Sequence, residues 1–209
     1  MDVSNPILSV IPGGRGAVLT VLVRAGVPLS GRQVAELTRD AVGVTRTASI
    51  LGELARAGIV TAEAHPPAVL YSFNEDHLAA AAIRQLCEMS ARLIDRLRNE
   101  LSSWTVPAAG AWLFGSAARR DGGLDSDVDV LVVQPEGDYD EDIWEAQIRD
   151  LGDNIMRWTG NVGSVIDYSD SEIERLCEAD ERLPRELQRD GIHLAGRRHL
   201  VQRRGSVLR

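Results

Sequence analysis

The stretch from Trp112 to Val133 constrains this chain more than any other segment. An apolar strand, Ala111–Phe114, runs into Gly115-Ser116. After ten further residues, 117–126, Asp127 and Asp129 open a second apolar run, Val128–Val133. A glycine directly after a buried strand lets a ligand approach the backbone. The amides that start the following short helix can then hold phosphate oxygens. Residues two apart in a strand project from one face, so Asp127 and Asp129 stand together, with Val128, Val130 and Val132 anchoring the opposite face. Two neighbouring carboxylates repel each other unless a cation sits between them, and their hard oxygens suit Mg²⁺.

Composition narrows the chemistry further. The 209 residues include no lysine, so all 23 cations are arginines. A lysine Schiff base and a P-loop are thereby excluded, and arginine or a metal must neutralise any phosphate charge. Arg119 and Arg120 are placed to do so, or equally to pair with Asp121 or Asp125. The 31 acids outnumber the 23 arginines, which leaves a net charge of −8 and argues against a surface that grips nucleic acid throughout. The whole deficit lies in residues 76–209, although the end of the chain from His193 carries Arg197, Arg198, Arg203, Arg204 and Arg209 with no acid. That tail is expected either to fold back on acidic surface or to contact a polyanion. Four histidines, His65, His77, His193 and His199, lack ligand spacing, so no zinc is expected. Cys87 and Cys177 fit neither a disulfide framework nor a thiolate site, and a reducing cytoplasm is the expected home. With no membrane-length apolar run and no basic-then-apolar start, no membrane partner and no secretory signal are expected.

The Gly-Ser pair, the ten-residue spacing and the Asp-x-Asp at the head of an apolar strand resemble the signature of the DNA polymerase β-type nucleotidyltransferase superfamily. With Arg119 and Ser126 the motif is similar to that of the minimal nucleotidyltransferases, a prokaryotic branch, over roughly residues 105–195. The resemblance implies that Asp127 and Asp129 hold two Mg²⁺ ions about 4 Å apart, one on the nucleotide phosphates and one on the attacking oxygen. It implies that Gly115, Ser116 and Arg119 grip the NTP. A third carboxylate on a neighbouring strand would join the metal site and activate the acceptor hydroxyl. Asp167, a charge in the apolar strand Val162–Tyr168, is the candidate, with Asp170 and Glu172 as rivals. Trp112 and Phe114 are expected in the core rather than stacked on a base.

The first 75 residues read as three short helices and a two-stranded wing, a pattern that resembles the winged helix-turn-helix domains of bacterial transcription regulators. The helices span Arg15–Ala25, Ser30 to about Thr38 (Ser30 and Gln33 at the reciprocal capping positions), and about Thr45–Ala57. The strands are Ile59–Ala62 and Val69–Phe73, joined through His65-Pro66-Pro67. In the third helix Val44, Ala48, Leu51 and Ala55 are expected to face the core. Thr45, Arg46 and Ser49 would then enter a DNA major groove. Glu53 on the same face, a neutral domain and a wing without arginine weaken that surface; a protein-docking or dimer module is the alternative.

Asp76 to about Leu101 reads as one long helix with Leu86, Leu93, Leu97 and Leu101 on a stripe, either packed on a core or forming a homodimer seam. Helices are expected at Asp142–Trp158 and Ser171 to about Gln188. The expected fold class is α+β: a winged helix-turn-helix over 1–75, a linking helix over 76–104, and a nucleotidyltransferase α/β domain with a small mixed sheet over 105–209. Two functions compete. One is an Mg²⁺-dependent enzyme that moves an NMP from an NTP to an acceptor hydroxyl on a protein such as a toxin, on RNA, or on a small molecule such as an aminoglycoside. The other is a DNA-binding regulator, or an antitoxin, whose transferase domain binds nucleotide or partner without turnover.

Overall fold

The computed structural model describes residues 1–38 and 41–201. Arg203, Arg204 and Arg209 of the expected arginine-rich tail lie outside the described residues. The chain divides into two units: Asn5–Met89, and Met1–Ser4 together with the chain from Ser90 onward.

The N-terminal unit contains α1 (Ile7–Val10), α2 (Gly14–Ala25), β1 (Leu29–Ser30), α3 (Gly31–Leu37), α4 (Val44–Arg56), β2 (Val60–His65), β3 (Ala68–Phe73) and α5 (Ala80–Cys87). The capping box forms as its residues require: the Ser30 hydroxyl accepts from Gln33 N and the Gln33 side chain accepts from Ser30 N. A three-stranded sheet in the order β1-β3-β2 is antiparallel throughout, and the two-residue strand β1 is an addition to the expected hairpin. The core-facing stripe of α4 is Thr47, Ile50, Leu51 and Leu54. This corrects the expected stripe: Leu51 is buried, but Val44 is 71% exposed and Ala48 is exposed. The larger side chains Ile50 and Leu54 bury more apolar area than the alanines. Thr47 is tolerated inside because its hydroxyl donates to Gly43 O at 3.1 Å.

The expected long helix is two helices, α5 and α6 (Met89–Ser102), separated at Glu88. Its leucine stripe is divided between two cores rather than forming one seam. Leu86 packs with the N-terminal unit, and Leu93, Leu97 and Leu101 are buried in the C-terminal unit.

The C-terminal unit continues with β4 (Gly110–Phe114), α7 (Gly115–Arg119), β5 (Val128–Val133), α8 (Glu141–Thr159), β6 (Gly163–Tyr168), α9 (Asp170–Glu178), α10 (Arg182–Asp190), β7 (Ile192–Gly196) and a 3₁₀ turn at Arg198–Val201. The expected helix over 171–188 is split, with Asp180 in the left-handed region at φ 57° between α9 and α10. The four strands lie in the order β6-β5-β4-β7, with β6 parallel to β5 and the other pairs antiparallel. This is the small mixed sheet of the expected α+β class, to which β7 adds an edge strand beyond the three expected. Strand alternation divides the core in two. Val128, Val130 and Val132 pack with α6 and α8 on one face; Leu131 and Val133 pack with Ile173 of α9 and Leu187 of α10 on the other. Trp112 is buried with this second group and Phe114 packs against it, so both serve packing. No described helix is long and apolar enough to cross a membrane.

Candidate active site

Asp129 is the second residue of β5, on the face that further along carries Leu131 and Val133, and Asp127 immediately precedes the strand, close enough for its charge to act on Asp129. Asp127 is exposed and Asp129 half-buried. In the antiparallel pair, Phe114 lies opposite Asp129, so β4 delivers Gly115 directly to the carboxylate. Gly115 has φ +67°, and a Cβ there would stand 2.2 Å from Asp129 Oδ2. Only glycine permits this approach. The Ser116 hydroxyl lies near Gly122, where a Cβ would come within 2.9 Å of it and within 3.0 Å of the Ser126 hydroxyl. The structure therefore sets Gly115 against Asp129, next to Asp127, with Ser116 the following residue of α7.

Burial first, and then the negative charge of Asp127, push the Asp129 carboxyl above the usual carboxylate range; a Ser164 hydrogen bond and Arg119 act in the opposite sense, and Glu186 of α10 adds to the rise. Such a carboxylate gains from a nearby cation. Arg119 is not free to serve phosphate alone: its Nε donates to Asp121 Oδ2 at 2.9 Å, and Asp121 is the main cause of its raised proton affinity. Arg120 ends α7 in the left-handed region at φ 61°.

Asp167 is the principal correction. β6 is parallel to β5, with Asp129 aligned to Ser164 and Val132 aligned to Asp167. Asp167 is therefore about 10 Å further along the sheet, three residues at roughly 3.3 Å each, and points to the opposite face. There its Oδ2 accepts from Trp144 Nε1 at 2.9 Å and from Gln134 Nε2 at 2.8 Å. Trp144 is 3% exposed, and its indole N–H needs a buried acceptor. The charge in an apolar strand thus answers to tryptophan rather than to metal. The rivals fail for the same reason of position. Asp170 and Glu172 follow the far end of β6, where Asp170 faces Arg197 and Glu172 closes a capping box on Ser169. Beside Asp129 on β6 stands Ser164, which the sequence did not single out; only strand register identifies it.

The donor set fits Mg²⁺ held jointly with substrate phosphates, since one or two carboxylates with phosphate oxygens and water are its usual protein environment. Among the described residues, no group of three or more His, Cys, Asp or Glu side chains could hold a metal by itself.

In the N-terminal unit, Thr45, Arg46 and Ser49 are exposed on α4. Glu53 draws on this face: its carboxylate accepts from Arg15 at 2.5 Å and from Ser49 at 3.1 Å, and lies 3.6 Å from Arg46. The hydrogen bond from Arg15 is the main reason its carboxyl is held below the usual range. At the other end of the chain, Arg197 pairs with Glu136 at 2.6 Å and Asp170 at 3.5 Å, so this part of the basic segment folds back on acidic surface.

A family model described as a nucleotidyltransferase domain matches residues 94–167. The match takes in β4, Gly115, Ser116, Asp127 and Asp129, and this part of the chain is similar to such domains. No curated protein matches the chain.

Proposed function

We propose that the C-terminal unit transfers a nucleoside monophosphate from an NTP to an acceptor hydroxyl. The observation that carries this reading is the pair Asp127–Asp129 at the head of β5, with the charge of Asp127 acting on Asp129 and Gly115 packed against the Asp129 carboxylate. The acceptor hydroxyl loses its proton to water as its oxygen attacks the α-phosphorus, the bond from that phosphorus to the α,β-bridging oxygen breaks, and pyrophosphate leaves. Mg²⁺ would supply charge neutralisation on the triphosphate and is held in this reading by Asp127 and Asp129. Gly115 keeps the space above Asp129 open. The Ser116 hydroxyl, beside Gly122, is available to the outer phosphates. Asp167 takes no part, because it lies on the other face of the sheet.

The test is incubation with each NTP and Mg²⁺, offering the full chain protein, RNA and small hydroxylated acceptors, with mass spectrometry of every acceptor. An NMP adduct that disappears in Asp127→Ala and Asp129→Ala is expected. No adduct on any class, together with no Mg²⁺-dependent nucleotide binding, would refute the reading.

A second reading concerns the N-terminal unit. The succession α2, α3, α4 and the β2–β3 hairpin supports a winged helix-turn-helix, and the exposed Thr45, Arg46 and Ser49 support DNA contact by α4. Gel shift on the chain's own upstream DNA tests it.

A further inference from the structure

The ten-residue spacer between Gly115-Ser116 and the carboxylate pair is held from outside the motif. The turn that joins α8 to β6 contains Asn161, a polar residue only 4% exposed. Its Nδ2 donates to Leu124 O and to Ser126 O, both at 2.9 Å, so one amide bridges the two carbonyls just before Asp127. Its own placement is fixed. Asn161 N donates to Thr159 Oγ1 at 3.0 Å, Thr159 Oγ1 donates to Ile155 O at 2.7 Å, and Oδ1 accepts from the Met1 nitrogen at 2.7 Å. The next residue joins the same device, since Val128 N donates to Val162 O at 2.9 Å. The other side of the spacer is held by Ser4, whose hydroxyl accepts from Gly122 N at 2.9 Å, while Val3 is buried in the core of the same unit.

Asp127 is exposed and lies before the first paired residue of β5, so its own side chain does little to fix it. The backbone on its N-terminal side is positioned by Asn161. We propose that Asn161 is a positioning residue for the carboxylate pair, setting where the Asp127 carboxylate stands relative to Asp129 and hence the affinity of the site for Mg²⁺ with nucleotide. Its functional part rests on the nucleotidyl-transfer reading. A side chain that only orients metal-binding groups acts on metal affinity through geometry, and losses of about 10–100-fold are typical for such partners.

Asn161→Ala removes both bridging bonds, and Asn161→Ser leaves a hydroxyl too short to span both carbonyls. Leu97→Val, in the core on α6, serves as a variant destabilised without touching the loop. Two measurements are made on the full chain. One is the Mg²⁺ midpoint of the thermal shift given by ATP, GTP, CTP and UTP in turn. The other is amide exchange over residues 122–129 without nucleotide. The expected result is a Mg²⁺ midpoint raised about tenfold or more in both Asn161 variants, unchanged in Leu97→Val, with faster exchange over 122–129 in the Asn161 variants alone. An unchanged midpoint in the Asn161 variants, whatever their melting temperature, would make Asn161 purely structural and overturn the proposal. Unchanged exchange would overturn it by removing the clasp itself. If the wild-type chain shows no Mg²⁺-dependent response to any NTP while the clasp loosens as expected, the nucleotidyl-transfer reading fails and takes the functional part of the proposal with it.

Discussion

Replacing Gly115 by alanine separates backbone strain from loss of the site. The new Cβ meets Asp129 Oδ2 at 2.2 Å, Cγ at 3.1 Å and Cβ at 3.4 Å, whereas Cβ contacts below 3.0 Å essentially never occur. The obstructing atom is the end of a short side chain, so rotation of Asp129 relieves the clash at little cost in stability. The lasting cost is the left-handed backbone at φ +67°, about 1–2 kcal/mol for a residue with a Cβ. At roughly 2–4 °C per kcal/mol for a chain of this size, the melting temperature falls by roughly 2–8 °C. Gly137→Ala is the matched control. It has φ +87° and nothing within 4 Å of an added Cβ, so it carries a similar strain without touching Asp129. The two variants diverge once Mg²⁺ and NTP are added. At a ligand concentration a hundred times Kd, Gly137→Ala gains about 2.7 kcal/mol from binding, as wild type does. Gly115→Ala gains little, because its Asp129 oxygen has been moved off the metal position. Thermal unfolding of both variants with and without Mg²⁺ and NTP is the assay. A full nucleotide-dependent shift in Gly115→Ala would refute the role given to the Asp129 carboxylate.

Three other outcomes follow from the geometry. Asp167→Ala leaves the buried Trp144 indole N–H without its acceptor and lowers stability by about 1–3 kcal/mol by chemical denaturation, while transfer by Asp167→Asn stays within a few-fold of wild type; abolished transfer would return Asp167 to the site. Burial and Asp127 raise the Asp129 carboxyl above its unfolded value, so the folded chain holds that proton more tightly. Ligand-free stability from this group is full below the ordinary carboxylate range and is lost as pH rises through the raised value, while Mg²⁺ binding weakens as pH falls through the same window. Asp129→Asn should remove this pH dependence from the ligand-free melting curve, and a retained dependence would refute the assignment. On α4, Glu53→Gln frees Arg15 and Arg46; if this face meets DNA, low-salt binding strengthens and the salt slope steepens by about 0.9 for each arginine that reaches a phosphate, and an unchanged slope would deny the contact.

The features legible from the chain alone are those that neighbouring residues impose on one another. Alternation is a property of extended backbone, so an Asp-x-Asp at the head of a strand turns both carboxylates toward one side, while the fine placement of Asp127, one residue before the paired strand, is left to its surroundings. The Ser30–Gln33 capping box closes over three residues. The Gly115 turn follows from its steric freedom beside a buried strand. The position of Asp167 belongs to a different level. Its face depends on which residue of β5 it pairs with, and a shift of one residue in that register would turn the whole of β6 over. No local signal carries the register, so an acid in an apolar strand reads as catalytic until Trp144 is found beside it. The same holds for Leu93, Leu97 and Leu101. Their spacing defines a stripe but not its occupant, and only packing shows that the stripe belongs to the core of its own unit. Asn161 gives no sequence signal at all. An asparagine after a glycine at a helix end looks like an ordinary turn, and its grip on Leu124 and Ser126, some 35 residues back along the chain, exists because α8 returns the chain beside the head of β5.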